Sequence, residues 1–450
     1  TEDAMYQSIG RKKTPEMNFS RIRTQANTCM TVLAQTLDAV LGKSTPADKF
    51  VSSYFRNDKR LGSRDRRLIS QVVFSVFRQF GFLCAAFHEH RSIRASGHTL
   101  ALYMLGVSVL EGFTHDVCRC WLEHVSISEN DFDALSEIEE PLERFKAFAS
   151  LAGAEYVPEI TDSVPEWALP ELAAPFDRRF YEILQTRPPM WIRAQTKDIS
   201  GLTASLAKQG LHAVPHTRIA NALSIADAHV NLYTIEAFRK GLFELQDISS
   251  QCIGLACMPS PGEIWWDACS GGGGKALQLA PPMERKGVVT ATDIREYKLL
   301  DLKKRAARAA FPNIRTAEWN GKEPDRGKRD LYNGVLVDAP CSSSGRWRRN
   351  PDARWIAQPE WLEELPATQK EILDHASKAV RHGGVLVYAT CSMLRRENAD
   401  VVNAFLETHP EFRLEPFPNP LTGELNHGMQ QIMPWDADCD ASFAARFRRI

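Results

Sequence analysis

The apolar positions change their period twice along this chain. Over residues 18–150 they recur at helical spacing, most clearly through Cys29–Leu41 and Leu68–Phe82. Gly62-Ser63 ahead of Arg64-Asp65-Arg66-Arg67 reads as a helix start with Ser63 as the N-cap. Pro158, Pro165 and Pro170 then mark residues 151–170 as a linker. A short mixed segment follows over 171–238. In it Trp191-Ile-Arg-Ala-Gln195 predicts a strand, and Gly201–Gln209 predicts a helix stopped by Gly210. From about 239 to 450 short apolar runs alternate with amphipathic stretches. The runs Glu263–Ala268, Gly287–Thr292, Tyr332–Asp338 and Gly384–Thr390 predict strands. Glu296–Ala310, Trp361–Val380 and Arg396–Thr408 predict helices. The expected fold class is α/β: a mostly parallel, Rossmann-like sheet covered by helices, behind an all-helical N-terminal domain and a small α+β intermediate domain.

Composition narrows the classes. With 450 residues, 44% hydrophobic and 25% charged, the chain is an ordinary globular protein of several domains. No uninterrupted apolar run approaches a membrane span, so no membrane association is expected. Thr1–Met17 is polar and lacks the apolar core of a secretory signal; Met17 is the expected native start, with Thr1–Glu16 a remnant of expression. The ten cysteines form no paired CxxC units, which argues against a structural metal and for cytosolic thiols. The net charge of −1, from 55 basic and 56 acidic residues, excludes a uniformly basic nucleic-acid binder. It does not exclude a local basic face. Arg56, Lys59, Arg60, Arg64, Arg66 and Arg67 form such a cluster, read either as a solvated helix face partnered by Asp58 and Asp65 or as contacts to RNA phosphates.

Chemistry concentrates at predicted strand ends, where parallel sheets bind ligands. The first run of the α/β region ends in Asp267-Ala-Cys-Ser-Gly-Gly-Gly-Gly-Lys275. Four glycines let a backbone turn sharply and approach a ligand closely. Asp293 follows Gly274 by 19 residues, at the next strand end, where an acid suits ribose hydroxyls. Lys275 is followed by Ala, so the loop is not a phosphate-binding P-loop. Two further strand ends read Val-Asp338-Ala-Pro-Cys341-Ser-Ser-Ser-Gly345 and Tyr-Ala-Thr390-Cys391-Ser392. Arg346, Arg348 and Arg349 follow the first of these and are candidate phosphate contacts. One cysteine at a strand end is ordinarily core. Two at matching ends, each in a polar loop, point to thiol chemistry.

A nucleoside cofactor, a carboxyl and two thiols suit methylation of a pyrimidine at carbon-5. A thiolate adding to carbon-6 makes carbon-5 nucleophilic, and a carboxyl at ring nitrogen-3 shares a proton as charge develops. Cysteine–histidine hydrolysis is the rival, but His375 and His382 fall at the wrong end of the strand. Chemistry alone leaves open which cysteine attacks.

DACSGGGGK, VDAPCSSSGRWRRNPD and YATCSMLRREN, with Gln246-Asp-Ile-Ser-Ser-Gln251 before them, resemble the motifs of the Sun/RsmB-type RNA cytosine-5 methyltransferases. Gly62–Arg78 resembles the NusB-like domain of the bacterial members, and 187–236 their intermediate domain. The resemblance implies Cys391 as nucleophile, Cys341 as the residue assisting product release, Asp338 at the base and Lys275 beside the active site. It implies S-adenosylmethionine as cofactor, held by Asp267, Cys269, Ser270, Gly271, Gly272, Gly273, Gly274, Lys275, Asp293, Arg295, Asn320 and Asp338. It further implies RNA as partner, ribosomal RNA first, through Arg64, Arg66, Arg67, Arg346, Arg348 and Arg349. A cytoplasmic monomer without a metal is expected. The alternatives are the same chemistry on transfer RNA or another RNA, and an RNA-binding assembly factor without essential catalysis. Three departures stand out. The family's Ala-Pro-Gly-Gly-Lys becomes Gly271-Gly272-Gly273-Gly274-Lys275, which implies a looser loop and weaker cofactor binding. Trp319-Asn320-Gly321 stands where an Asp near the adenine is usual. Asp440-Ala-Ser-Phe443 replaces Asp-Gly-Phe-Phe near the C-terminus, with local packing alone affected.

Overall fold

The computed structural model describes residues 19–87, 96–113, 115–226, 231–284, 286–322 and 329–450. The stretch ahead of Met17 lies outside them. The chain divides into two compact units, meeting in sequence between Ser163 and Val164.

The first unit is helical, as its spacing predicts. Its main helices span Phe19–Leu37, Ala47–Asn57, Ser63–Phe87, Gly97–Glu111 and Pro141–Leu151. Gly97–Glu111 is apolar on every side and buried along most of its length, and Phe19–Leu37, Ser63–Phe87 and Pro141–Leu151 pack around it. Ser63–Phe87 is long and apolar enough to cross a membrane by length and composition, but most of it is buried inside this unit. Its cap differs from expectation. Ser63 is already the first helical residue; the Gly62 carbonyl accepts from Arg66 N, and the Asp65 carboxylate reaches back to Gly62 N–H at 3.2 Å. Asp65 thus closes the reciprocal half of a capping box that a Ser at the cap position normally opens.

The second unit holds two sheets. The smaller is antiparallel, in the order β2-β3-β1-β4, from β1 (Met190–Ala194), β2 (Ala213–Pro215), β3 (Ala222–Ile225) and β4 (Phe243–Leu245). The larger runs β10-β12-β9-β8-β5-β6-β7, with β11 paired onto β12. Its strands are β5 (Ile264–Asp267), β6 (Val288–Asp293), β7 (Ile314–Glu318), β8 (Tyr332–Asp338), β9 (Val380–Thr390), β10 (Phe412–Leu414), β11 (Met429–Ile432) and β12 (Ser442–Arg449). β5 to β9 are parallel and β10 to β12 antiparallel. Alternate residues feed two cores. Trp266, Val335, Val337 and Tyr388 face helices Trp361–Ser377 and Ala399–Thr408; Trp265, Leu336, Val387 and Ala389 face helices Ile248–Cys257, Gly274–Leu279 and Glu296–Arg308. The order places β6 and β7 on one side of β5 and β8 and β9 on the other. Connections therefore diverge at the carboxyl ends of β5 and β8, where open α/β sheets hold ligands.

The expected linker is packed over its second half. Val164 and Ala168 are buried with Trp347 and Met393 in a core of the second unit.

Candidate active site

Every strand that ends at this crevice delivers a polar side chain. β5 ends at Asp267, β6 at Asp293, β8 at Asp338 ahead of Cys341, and β9 at Thr390 ahead of Cys391. Gly273 heads helix Gly274–Leu279 with φ +82°, and a Cβ there would meet Leu302 Cγ at 2.3 Å, so only glycine fits.

The glycine loop is pinned rather than loose, a correction to the expectation drawn from its departure from the family. Ser270 N–H donates to Thr292 O at 2.8 Å and Gly271 N–H to the Asp293 carboxylate at 2.9 Å. Arg305 donates to Gly272 O, and Arg193, from β1 of the small sheet, donates to Gly274 O at 3.2 Å. Buried Glu244 on β4 holds Arg305 by a fork, with Nε at 3.1 Å and Nη2 at 2.9 Å, and also holds Arg308. A Cβ on residue 272 would stand 3.1 Å from Arg305 Nη1, so the extra glycine admits the guanidinium.

Asp267 is fully buried, and neither carboxylate oxygen has a well-formed hydrogen bond among the described residues; the Ala276 N–H offers a weak one. Burial, with Asp338 nearby, pushes it up to about 7. Ser270 Oγ is likewise buried without a partner. Asp293 is differently placed. Its Oδ1 accepts from Arg295 N and Nε, and its Oδ2 from Gly271 N and Arg295 Nη2, all within 2.8–3.0 Å. A carboxylate has about four acceptor sites, so all are taken. Burial opposes its charge, but the Arg295 fork outweighs that and holds the carboxyl below its usual range. Arg295 therefore stands on the acid expected to hold ribose, as that acid's partner. Cys269 is part-buried beside the same core, its thiol pushed far up by burial. Asn320 is exposed, and its side-chain oxygen accepts from Lys322 N at 3.1 Å.

Across the switch point Lys275 Nζ meets Asp338 Oδ2 at 2.6 Å. Burial works against the ammonium. The charge and hydrogen bond of Asp338, with Asp267 and Cys391 behind it, outweigh burial and raise it above its ordinary value.

The two thiols meet, Cys341 Sγ to Cys391 Sγ, at 3.4 Å. Both cysteines are part-buried. β8 and β9 run parallel with Asp338 opposite Ala389, which carries their following loops to one place. Gly345 N–H donates to Cys391 O at 2.9 Å, and a Cβ on Gly345 would stand 2.3 Å from Ala441 O. The surroundings of the pair are unequal. The hydrogen bond with Cys341 lowers Cys391 and outweighs burial, helped by Ser343 Oγ at 3.6 Å and by the Arg346 charge. Cys341 is raised by that same bond, by burial and by Glu397.

The expected RNA contacts divide. Arg346 is exposed beside Cys391. Arg348 is buried on Thr186 O and Oγ1 at 2.9 and 2.8 Å and on Asp438; Arg349 bridges Asp440 and Asp247 at 3.0 Å each. Both are committed to holding the loop after β8 against other segments, so neither is free to meet a phosphate. Asp440, in the segment that departs from the family, serves as Arg349's partner. In the helical unit Arg64 and Arg67 are exposed. Arg66 is part-buried, donating to Leu61 O at 3.0 Å with its guanidinium 5.6 Å from the Phe55 ring centre. Arg60 is bound by Asp58.

One feature of the site escaped sequence reasoning. Glu397, 1% exposed, accepts from Ser342 N at 2.8 Å, Ser342 Oγ at 2.6 Å, Gln369 Nε2 at 3.0 Å and Ser392 Oγ. An acid after a strand ordinarily reads as a helix opener, and nothing local marked it as buried.

A glycine loop and acidic strand end on one side of a β5/β8 switch point, facing polar loops on the other, are the arrangement of a Rossmann-like methyltransferase domain, a class whose methyl donor is S-adenosylmethionine. Residues 255–448 match the family model of the 16S rRNA methyltransferases RsmB/F. The ribosomal RNA small subunit methyltransferase B of Yersinia pestis bv. Antiqua (strain Angola) is 34% identical over 293 residues, covering 63% of this chain and 65% of its own length. That of Yersinia pseudotuberculosis serotype O:1b (strain IP 31758) is 33% identical over the same coverage. The chain thus aligns with somewhat less than two thirds of these relatives. The crystal structure of PH0851 shares the fold with a TM-score of 0.73 at 23% identity, covering 94% of this chain and 99% of that one. NSun6 from Pyrococcus horikoshii with SFG has a TM-score of 0.52 at 18% identity, over 60% and 92%.

Proposed function

We propose that this protein methylates carbon-5 of a cytosine in RNA, with ribosomal RNA as the first substrate, through a covalent adduct between Cys391 and carbon-6 of the base. The observation that carries this is the thiol pair, 3.4 Å apart, beside the Lys275–Asp338 pair at a methyltransferase switch point. The two Yersinia relatives bear the name of a small-subunit rRNA methyltransferase, which favours ribosomal RNA.

The residues present suit the cofactor. Asp267 and Ser270 keep buried polar atoms without full partners at the start of the glycine loop, and Asp293 ends the neighbouring strand. Asp267, Ser270 and the Gly271–Gly274 backbone would hold S-adenosylmethionine, joined by Asp293 once the Arg295 fork yields an acceptor site, with Cys269 and Asn320 at its margin. When bound, the cofactor supplies an electrophilic methyl group. The Cys391 thiolate forms a bond to carbon-6, and the displaced electron pair gathers at carbon-5. Asp338, held by Lys275, shares a proton at ring nitrogen-3. After methyl transfer the carbon-5 proton leaves to a base, the electrons of the broken C–H bond restore the ring double bond, and the Cys391–carbon-6 bond breaks with its pair returning to sulfur. Cys341 assists that elimination. Arg346 meets a phosphate near the target base, and exposed Arg64 and Arg67 of the NusB-like helical unit meet others. The protein acts as a cytoplasmic monomer.

The test is transfer of labelled methyl groups to small-subunit rRNA from cells lacking the gene, with the product nucleoside identified. Appearance of 5-methylcytosine supports the proposal; no incorporation, or methylation at another atom, contradicts it.

A further inference from the structure

The chemistry proposed above asks two neighbouring thiols to behave differently, and the structure contains a group that separates them. Glu397 lies in the turn after β9 and is buried. Its flanking arginines face elsewhere: Arg395 pairs with Asp400 at 2.8 Å, and Arg396 with Glu171 at 3.1 Å and with Glu363. Its own described hydrogen bonds all come from uncharged donors. Oε1 receives the Ser342 backbone N–H and the Gln369 amide; Oε2 receives the Ser342 and Ser392 hydroxyls. The Gln369 amide nitrogen also donates to Pro340 O at 3.0 Å, which fixes its orientation. A carboxylate accepts at both oxygens and so takes all four of these donors, whereas an amide accepts at one end only.

These donors belong to the segments that carry the thiols. Ser342 follows Cys341, and Ser392 follows Cys391. Ser344 Oγ adds a second stitch, 3.1 Å from Ser392 Oγ and accepting from Met393 N at 2.8 Å. These serines are the thread between two cysteine loops. The charges facing the thiols are unequally shared. Arg346 favours an anion on Cys391 and Asp338 opposes it, while Lys275 balances Asp338; Glu397 opposes an anion on Cys341. Resting on the proposed reading of the site, we infer that Glu397 is the positioning residue of the thiol pair: it ties the two cysteine loops together and sets an acid on the Cys341 side of the pair, leaving Cys391 to attack.

The inference is testable on the intact chain with neither RNA nor cofactor. Alkylation by iodoacetamide is followed from about pH 6 to about pH 9, with each thiol read separately by peptide mapping. In the wild-type protein Cys391 should alkylate at least about tenfold faster than Cys341 near neutrality, because the thiolate is the nucleophile. Glu397→Gln should bring the two within about twofold, and Glu397→Asp, which keeps the charge, should restore most of the preference. A loss of packing alone would lower methylation in both variants without moving this ratio. A wild-type ratio in Glu397→Gln overturns the inference. If that variant does not fold, the wild-type profile decides: Cys341 alkylating as fast as Cys391 overturns it as well. A shifted ratio beside a wild-type protein that methylates no RNA would instead refute the proposed reaction and leave the role of Glu397 in the thiol pair standing.

Discussion

Lys275 Nζ rests 2.6 Å from Asp338 Oδ2, joining the helix that follows the glycine loop to the end of β8 across the switch point. Asp267, Asp293 and Asp338 end three of the strands at this crevice, and Lys275 is the ammonium set against Asp338. Removing one partner of a mostly buried pair strands the other. Lys275→Met should cost about 3 kcal/mol of stability and abolish methyl transfer. Denaturant melts check the first and a labelled-methyl assay the second; a fully stable, active variant would mean that Asp338 needs no counter-charge.

Asp267 predicts a pH signature. Its folded value of about 7 lies above that of an unfolded aspartate. Between about pH 4 and pH 7 the native protein holds a proton that the unfolded chain has released. The contribution to stability is present at low pH and is lost as pH rises through about 7. Asp267→Asn should therefore be more stable than wild type by about 4 kcal/mol at pH 8, with the gain vanishing towards pH 4. Melting curves across this range check it. A pH-independent difference would show that Asp267 does not titrate there.

Asp293 and Arg295 should act in opposite directions on the cofactor. The Arg295 fork occupies acceptor sites that ribose hydroxyls require. Asp293→Ala should weaken S-adenosylmethionine by about 1.5–3 kcal/mol, the range for charged hydrogen bonds, and Arg295→Ala should tighten it by about 1 kcal/mol. Calorimetry decides. Weakening by both variants would make Arg295 a direct cofactor contact.

Much of this architecture was legible because period and motif coincide. The runs at 264–267, 288–293, 332–338 and 384–390 are short and apolar, each ends in a polar residue, and each is a strand. β7 and the antiparallel trio β10 to β12 were missed. Ile314–Glu318 lies at the sheet edge with most of its length open to solvent, so it carries no apolar run. Ser442–Arg449 ends in Arg446-Phe447-Arg448-Arg449, which breaks the apolar run because Arg446 and Arg448 reach Glu415. Side-chain roles were less legible than strands. Arg346, Arg348 and Arg349 look alike in a sequence, yet one is exposed and two are structural, because their partners Thr186, Asp247, Asp438 and Asp440 are remote along the chain. The rigidity of the glycine loop was hidden for the same reason: Arg193, Glu244 and Arg305 come from three separate elements.

RNA affinity should depend on salt despite the neutral net charge, because exposed arginines release counterions when they meet phosphates. Arg64→Glu with Arg67→Glu should weaken RNA binding and flatten the slope of log affinity against log salt by about two contacts, leaving S-adenosylmethionine affinity unchanged. Filter binding across a salt series checks this; an unaltered slope would leave both arginines as solvated surface.

The division of labour between the thiols is tested most directly by trapping. Cys341 and Cys391 touch, so both face one base, and only the order of events distinguishes them. The measurement is a denaturing gel of Cys341→Ala and Cys391→Ala after incubation with substrate RNA and S-adenosylmethionine. Cys341→Ala should retain attack and methyl transfer but stall at elimination, giving a slow band that ribonuclease removes and that disappears when Cys391 is also replaced. Cys391→Ala should give no band and no methylation. A ribonuclease-sensitive band in Cys391→Ala, with none in Cys341→Ala, would contradict the account and make Cys341 the nucleophile.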